Sequence, residues 1–304
     1  MKKTKARMFT AVFLLAAAGP LAAATGTEEA ERDKRIDAAL HYYYNGETEE
    51  AKKIALSLKE TFPEDPFFNE LMAEVLWQEL ERRVAPDQQK YRRVDYRRVK
   101  ENQYIVEQFH KEIFEGLVLT QSALERNPAD SKYLFLRGML LVRQGGFIVK
   151  FESGLRSYSE SDEKTAEGLR LIQKSIELDP ALCAAKYVLA LGKYSIIRGA
   201  SESVFYKLMI MLRSKAYAAL GSNFNFHEVL AWLREAMRCQ CDYYFAKDTE
   251  IDKKFIYQDI LISRAGKYDK EALPVLEELH SRFPKNKTIR NNLFLARLHI
   301  QNKK

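Results

Sequence analysis

"GETEEAKKIALSLKETFPED", residues 46–65, decides the fold, because its pattern returns three more times along the chain. An amphipathic run begins at a small residue, Ala51, has Leu58 on the same face seven positions later, and reaches Pro63 after five more. Apolar residues at helical spacing on one side, with charged residues on the other, predict a surface helix with one buried stripe. Proline has no amide hydrogen and disfavours α conformation in the residue before it, so the helix is expected to end there.

Three further stretches repeat the interval from a small residue to a proline. Positions 116 and 128, 168 and 180, and 272 and 284 are twelve apart, as are 51 and 63. An interval kept four times is hard to explain by chance, so the chain is predicted to repeat one structural unit. Each stretch has a small residue, an inward position and a proline: Gly116, Ala123 and Pro128; Gly168, Ser175 and Pro180; Ala272, Leu279 and Pro284.

A second stretch, richer in apolar and aromatic residues, follows each proline and also has helical spacing. These stretches are residues 67–82, 131–146, 183–199 and 287–302. The chain is therefore predicted to be a series of helical hairpins, each of which needs its neighbour to bury an apolar face. Pro274 is the exception within the pattern, because it lies past the first turn of its helix. It is expected to remove a backbone hydrogen bond and bend that helix, unless the helix starts later.

Composition agrees with a helical, soluble class of fold. The chain is 46% hydrophobic and 30% charged, which is typical of a globular protein able to bury a core. Only 13 Gly and 8 Pro are spread over 304 residues, whereas an all-β sandwich needs turn residues at short, regular intervals. Helices are therefore favoured over strands.

Small, aromatic and turn residues recur at defined positions of the first unit, residues 36–65. In order, the small, aromatic, turn, small and proline positions are Ala39, Tyr42, Gly46, Ala51 and Pro63. Pro128, Gly138 and Gly145 match in a neighbouring pair. With a unit of about 34 residues, this pattern resembles the tetratricopeptide repeat (TPR). The chain is thus similar to exported bacterial TPR proteins with degenerate repeats, since Leu58 and Leu279 occupy positions that are usually small.

The resemblance covers nearly all of residues 25–304 and implies a single all-α domain. Its expected architecture is a right-handed superhelical array of antiparallel helix pairs, a TPR-like α-solenoid with helical inserts. The expected pairs are residues 32–65, 66–130, 131–182, 183–242 and 246–286, followed by a closing helix, 287–302, with a polar outer face. Inserts are expected around 83–103, 147–163 and 200–225. In the last of these, residues 201–222 predict either an extra helix packed across the array or a helix for a membrane surface or partner.

The first 24 residues have the three regions of a secretory signal peptide. A basic head with Lys2 and Arg7 precedes the apolar run Phe9–Ala18, and Ala24 ends a small-residue cleavage site. The alternative is a membrane anchor, but an apolar run of about ten residues is short of the roughly 20 needed to span a bilayer. No cysteine stands at the cleavage junction to carry a lipid. The predicted location is periplasmic or secreted.

Charge argues against a nucleic-acid partner. The net charge of +7 includes four basic residues from the leader, so residues 25–304 carry 45 minus 42, or +3. Basic residues concentrate in residues 82–100, where a solvated insert is one interpretation and a contact for anionic lipid or an acidic partner is the other. The candidate contact residues are Arg92, Arg93, Arg97 and Arg98.

No catalytic or metal-binding pattern is present in the sequence. The five histidines have no metal-ligand spacing, and there is neither a phosphate-binding Gly-rich loop nor a Gly-x-Ser-x-Gly elbow. Among Cys183, Cys239 and Cys241, at least one must stay unpaired within the chain. Ordinary buried thiols or one structural pairing of Cys183 are favoured over a redox or metal role. We expect no enzyme activity, cofactor or metal.

The resemblance implies where a partner binds. In TPR proteins the first helix of each pair lines a concave groove that holds a peptide or a helix of a partner protein. The corresponding residues are Tyr43, Tyr44, Glu70, Trp77, Lys132, Phe135, Arg143, Tyr187, Tyr194, Tyr257 and Arg264. The expected function is a protein–protein interaction scaffold or adaptor in the bacterial cell envelope. The alternative is a TPR subunit associated with a substrate-binding-protein-dependent transporter, in which a closed, oligomeric array encloses a ligand channel.

Overall fold

The computed structural model describes most of the chain after the predicted leader. The described residues are 26–84, 94–152, 155–202, 214–220, 226–239, 241, 243–262 and 267–302, without the side chains of 155 and 196–202. The predicted signal peptide, Arg92, Arg93, Arg264 and most of the 201–222 insert lie outside them. Within these ranges the chain forms thirteen α-helices and one 3-10 turn, with no strand, which confirms the all-α class.

The helices follow one another in the order of the chain. They are α1 (Gly26–Asn45), α2 (Thr48–Thr61), α3 (Pro66–Val84), α4 (Tyr96–Glu101), α5 (Gln103–Arg126), α6 (Ser131–Phe151), α7 (Leu155–Leu178), α8 (Cys183–Glu202), α9 (Lys215–Ala219), α10 (Phe226–Arg238), α11 (Lys247–Ile262), α12 (Asp269–Arg282) and α13 (Lys287–Gln301), with the 3-10 turn at Tyr244–Ala246. Helices adjacent in sequence pack together, as α1 with α2, α6 with α7, and α12 with α13. α3 also packs on α5, and α8 on α10.

Each of the four repeated prolines follows the end of a helix by two residues. α2 ends at Thr61 before Pro63, and α12 ends at Arg282 before Pro284. α5 and α7 end in the same way, at residues 126 and 178. The residue before the proline leaves the α conformation, as Phe62 does with φ −127° and ψ 64°. The predicted helix stops are confirmed.

Small residues let α6 and α7 approach closely. A Cβ atom added to Gly138 would lie 2.8 Å from the carbonyl oxygen of Gly168, and one added to Gly168 would lie 2.6 Å from that of Gly138. At Gly145 an added Cβ would lie 2.8 Å from the carbonyl oxygen of Ser161. Residues 147–163, where an insert is expected, belong largely to α6 and α7, which extend this contact.

Gly46 makes the turn between α1 and α2. Its φ of +82° is in the left-handed region that glycine adopts without strain. The amide of Glu47 donates to the carbonyl of Tyr42 at 2.8 Å, and that of Gly46 donates to Tyr43 at 2.9 Å, which closes the helix end. Arg82 from α3 donates to the Gly46 carbonyl, so the turn is tied to the next helix.

The two ends of the described chain contact each other. The backbone amide of Lys285 donates to Asn45 Oδ1 at 3.0 Å, and Asn286 Nδ2 donates to the carbonyl of Tyr44 at 2.7 Å. The Tyr44 ring stacks on Phe255 with 4.6 Å between the ring centroids. Further contacts join Lys247 to Asp33 and Asp37, and Arg32 to the ring of Tyr244. We call this set, between residues 32–47 and 244–286, the closure.

A disulfide joins Cys183, the first residue of α8, to Cys239, which follows α10, with 5.8 Å between their Cα atoms. This is the structural pairing of Cys183 that the sequence left as one option. Cys241 is a free, buried thiol, and burial raises its pKa. Of the helices in the described ranges, none is long and apolar enough to cross a membrane.

Candidate functional site

Most residues predicted to line a groove lie in the interior of the protein. Of the eleven, seven are buried: Tyr43, Tyr44, Glu70, Phe135, Tyr187, Tyr194 and Tyr257. Trp77, Lys132 and Arg143 are partly buried. Five of the eleven meet in one place, together with three carboxylates that were not predicted. This buried polar cluster consists of Tyr43, Tyr44, Glu70, Glu74, Arg143, Tyr187, Asp248 and Asp252, from α1, α3, α6, α8 and α11.

Arg143 is the single cation of the cluster. Its Nε donates to Glu70 Oε1 at 2.8 Å, and its guanidinium also forms an ion pair with Glu74. Nη2 lies 3.9 Å from Asp248 Oδ2. Burial alone would lower the pKa of Arg143, but the carboxylates of Glu70 and Asp248 raise it overall. The guanidinium therefore stays charged with 14% of its side chain exposed.

Three tyrosine hydroxyls complete the cluster as donors. Tyr44 Oη donates to Asp248 Oδ1 at 2.7 Å, and Tyr187 Oη donates to Asp252 Oδ2 at 2.7 Å. Tyr43 Oη donates to Glu74. Burial and the nearby aspartates raise the pKa of all three tyrosines, so each hydroxyl keeps its proton. The hydrogen bonds connect α1 and α8 to the carboxylates of α3 and α11.

The carboxylates outnumber the cation, and the two aspartates hold protons more tightly than usual. Burial, followed by the charge of Glu70, raises the pKa of Asp248 to about 7, although Arg143 opposes the shift. Burial also raises the pKa of Asp252, against the hydrogen bond from Tyr187. Within the described ranges, no group of three or more His, Cys, Asp or Glu residues is arranged to hold a metal. The cluster is thus a hydrogen-bonded polar interior that joins five helices.

The other predicted residues lie apart from the cluster. Trp77 packs edge-on against Phe147 and Phe151. Lys132 donates to Asp65, and Tyr257 donates to Glu271. Phe135 and Tyr194 are buried in the hydrophobic core. Of the basic candidates, Arg97 and Arg98 are exposed on α4, and Arg98 lies 3.9 Å from Asp95.

A pattern in the sequence could have identified the three unpredicted carboxylates. Glu74 stands four residues after Glu70, and Asp252 stands four after Asp248, so each pair lies on one helical face. In each pair that face also carries apolar residues, such as Leu71 and Ile251. Carboxylates four residues apart beside an apolar stripe are the pattern that indicates that these side chains face the interior.

A surface pocket of about 400 Å³ lies between the α1–α2 turn and the end of α3. It is lined by glutamates and by Arg82 and Arg83. Arg82 donates to Thr48 Oγ1 at 2.9 Å, and Arg83 pairs with Glu79 at 2.8 Å. Arg82 is therefore engaged with the α1–α2 turn and Arg83 with its own helix, and the four glutamates of the lining exceed its two arginines.

No model of a protein family matches the sequence, and no curated protein matches it significantly. Function is therefore inferred from the residues and contacts of this chain.

Proposed function

We propose that the chain is a non-enzymatic binding protein of the bacterial cell envelope, built as a TPR-like superhelical array of antiparallel helix pairs. The order of helices supports the array, because short turns join neighbouring helices such as α1 and α2, and α12 and α13. The proline stops support it as well, together with the glycine turn at Gly46 and the small-residue contact of Gly138.

Two features support export. The leader-like pattern of residues 1–24 is one, and the Cys183–Cys239 disulfide is the other. Disulfides form and persist in oxidising compartments, such as the bacterial periplasm, and are rare in the cytosol. A disulfide between α8 and the segment after α10 is thus expected of a periplasmic or secreted protein.

The closure is the observation that supports one of the two modes of binding over the other. A peptide in an open groove needs exposed groove residues, whereas Tyr44, Glu70 and Tyr187 are buried. A subunit that encloses a ligand needs the two ends of the array to meet, as Tyr44 and Asn286 do. We therefore favour the transporter-associated, ligand-enclosing role over a scaffold with an open peptide groove.

Native mass spectrometry of the protein, gently purified from the envelope of its own host, tests this choice. The ligand-enclosing role predicts a small-molecule mass that stays with the folded protein and is released on unfolding. It also predicts that returning the released material raises the melting temperature. A protein or peptide crosslinked in its place would support the scaffold. Neither a small molecule nor a reproducible partner would contradict both roles.

Two tyrosine variants sharpen the test. Tyr44→Phe removes the hydroxyl bond to Asp248 inside the closure, and Tyr243→Phe removes a matched but exposed bond to Asp179. An enclosed ligand should dissociate faster from Tyr44→Phe, because weaker contacts let the ends separate more often. Its release from Tyr243→Phe should equal that from the unaltered protein. Equal release from both variants would argue against enclosure by the closure.

A further inference from the structure

The outer face of α13 exposes large apolar side chains where a polar end cap is expected. Phe294 is 66% exposed, and Leu295 and Leu298 are each 38% exposed. The opposite side of the helix buries residues such as Ile289 and Leu293 against the rest of the protein. Arg290, Asn291, Arg297 and Asn302 are exposed as the sequence predicts. The face is therefore a mixture of large apolar side chains and polar ones.

α13 has basic side chains and no acidic ones. The helix contains Lys287, Arg290, Arg297 and His299, and neither Asp nor Glu. Arg290 and Arg297 stand four before and three after Phe294, so they share its helical face. Arg297 pairs with Glu277 of α12 at 3.0 Å. Within the described residues, Lys287 and Arg290 form no ion pair. Their positive charges are therefore exposed at the surface without a carboxylate that neutralises them.

Exposed apolar residues on α5 are not accompanied by cations alone, as those of α13 are. Phe114 is 67% exposed, close to the value for Phe294, and Val118 is exposed one turn later. Lys111 and Glu115 border them, and the two side chains lie 3.8 Å apart. Charges of both signs therefore surround Phe114, whereas only cations of α13 accompany Phe294.

We propose that the exposed face of α13 docks the protein on an anionic lipid surface. An amphipathic helix binds such a surface by burying aromatic and aliphatic side chains at the headgroup level while its cations attract the lipid charge. A second copy of the chain fits less well. Each copy would bring Lys287 and Arg290 to the contact, and α13 has no acidic side chain to pair with those of the other copy.

This inference goes beyond the proposed function and does not depend on it. A purified protein that encloses no ligand can still bind lipid, and one that encloses a ligand can fail to bind lipid. The two proposals are therefore tested by separate measurements.

Co-sedimentation with vesicles tests the docking face. The protein without its predicted leader, residues 25–304, is mixed with phosphatidylcholine vesicles that either contain or lack phosphatidylglycerol, at low and at high salt. Binding is expected only with phosphatidylglycerol and should weaken with salt, because salt screens exposed charges. The double variant Lys287→Gln, Arg290→Gln should weaken binding about 25-fold, because loss of each cation weakens it about fivefold. Phe294→Ser should weaken it about tenfold.

Phe114→Ser is the matched control, since it removes a phenylalanine of equal exposure from a face of mixed charge. It should bind as the unaltered chain does. Residues 1–24 are left out of every variant, because their basic head and apolar run would themselves bind anionic lipid, so differences between variants report on α13. All substituted residues are exposed, and circular dichroism should verify that the helices are retained.

Three outcomes would overturn the proposal. The first is no binding to phosphatidylglycerol vesicles. The second is binding that the α13 variants leave unchanged, which would assign the contact to another part of the chain, such as the basic residues of α4. The third is self-association that Phe294→Ser abolishes without any vesicle binding, which would assign the face to a second copy.

Discussion

At Asp248, burial and the charge of Glu70 raise the carboxyl pKa from 3.8 to about 7 in the folded protein. In the unfolded chain the pKa returns to its ordinary value, so between about pH 4 and about pH 7 the folded state binds the proton more tightly. The stability that this proton contributes is fully present below about pH 4 and is lost as pH rises through about 7. We expect the free energy of unfolding to fall over this range.

Asp248→Asn should reduce that fall, because the amide is neutral at every pH. Urea unfolding of both proteins between about pH 4 and about pH 8 measures the difference. Glu64→Gln is a control, since it removes one negative charge from an exposed site after α2. Relative to the unaltered protein, Asp248→Asn should gain stability as pH rises, whereas Glu64→Gln should show no such trend. The same pH profile for all three proteins would contradict the raised pKa.

Residue type and helical position were enough to select five members of the buried polar cluster. Tyr43, Tyr44 and Tyr187 are large side chains on the inward faces of first helices, where a groove or a core was expected. Their depth was not predictable, because Tyr44 is buried by Phe255 and Asn286 from the far end of the chain. The aspartates of α11 were missed since a carboxylate on an amphipathic helix is most often at the surface.

Pro274 lies inside α12 at its sixth residue, so the helix does not start later to avoid it. The missing amide hydrogen leaves the carbonyl of Lys270 without its helical donor. Pro274→Ala should therefore raise the free energy of unfolding by about 2 kcal/mol, from about 3 kcal/mol of relief in the helix less about 1 kcal/mol from a freer unfolded chain. Pro274 is exposed, so little packing is lost.

Denaturant unfolding of Pro274→Ala and Pro284→Ala separates the two kinds of proline. Pro284 lies beyond the end of α12, where alanine gains no helical hydrogen bond. We expect Pro284→Ala to leave stability unchanged or lower it. If Pro274→Ala gave no gain over Pro284→Ala, the helix would already tolerate its proline without penalty.

The Cys183–Cys239 disulfide connects two helices across a sequence separation of 56 residues. Replacing both cysteines by serine should lower the free energy of unfolding by about 4 kcal/mol, because the unfolded chain loses the crosslink that restricts it. Unfolding with and without a thiol reductant checks this effect. Reductant should destabilise both the unaltered protein and Cys241→Ser, and should have no effect on the double variant. Reductant sensitivity lost in Cys241→Ser would show that Cys241 takes part in the bridge.

The ends of the helices were predictable because a proline disrupts only its own helical turn and the turn before it. Residues 147–163 show the opposite case. They were expected as an insert, and α6 and α7 continue through most of them, with Gly145 letting the helices stay in contact. Helix length here depends on a neighbouring helix, and a single sequence does not reveal that contact.

At the scale of the whole molecule, the closure makes the two ends of the chain depend on each other. In an open array each repeat contacts only its neighbours, so an end can unfold without consequence for the far end. Here α1 contacts α11 and the turn before α13, which joins residues more than 200 positions apart. Loss of a contact in the closure should therefore destabilise both ends of the chain. This behaviour would distinguish a closed array from an open one.

Hydrogen exchange after Tyr44→Phe tests this dependence. The variant keeps the ring but removes the hydroxyl that donates to Asp248 at 2.7 Å, so a buried carboxylate loses a donor. The free energy of unfolding should fall by about 1–3 kcal/mol. Amides of α1 and of residues 267–301 should then exchange faster together, because both open when the closure does. Tyr243→Phe, which removes an exposed bond of 3.0 Å to Asp179, should change neither. Faster exchange confined to α1 would show that the ends open independently, as they do in an open array.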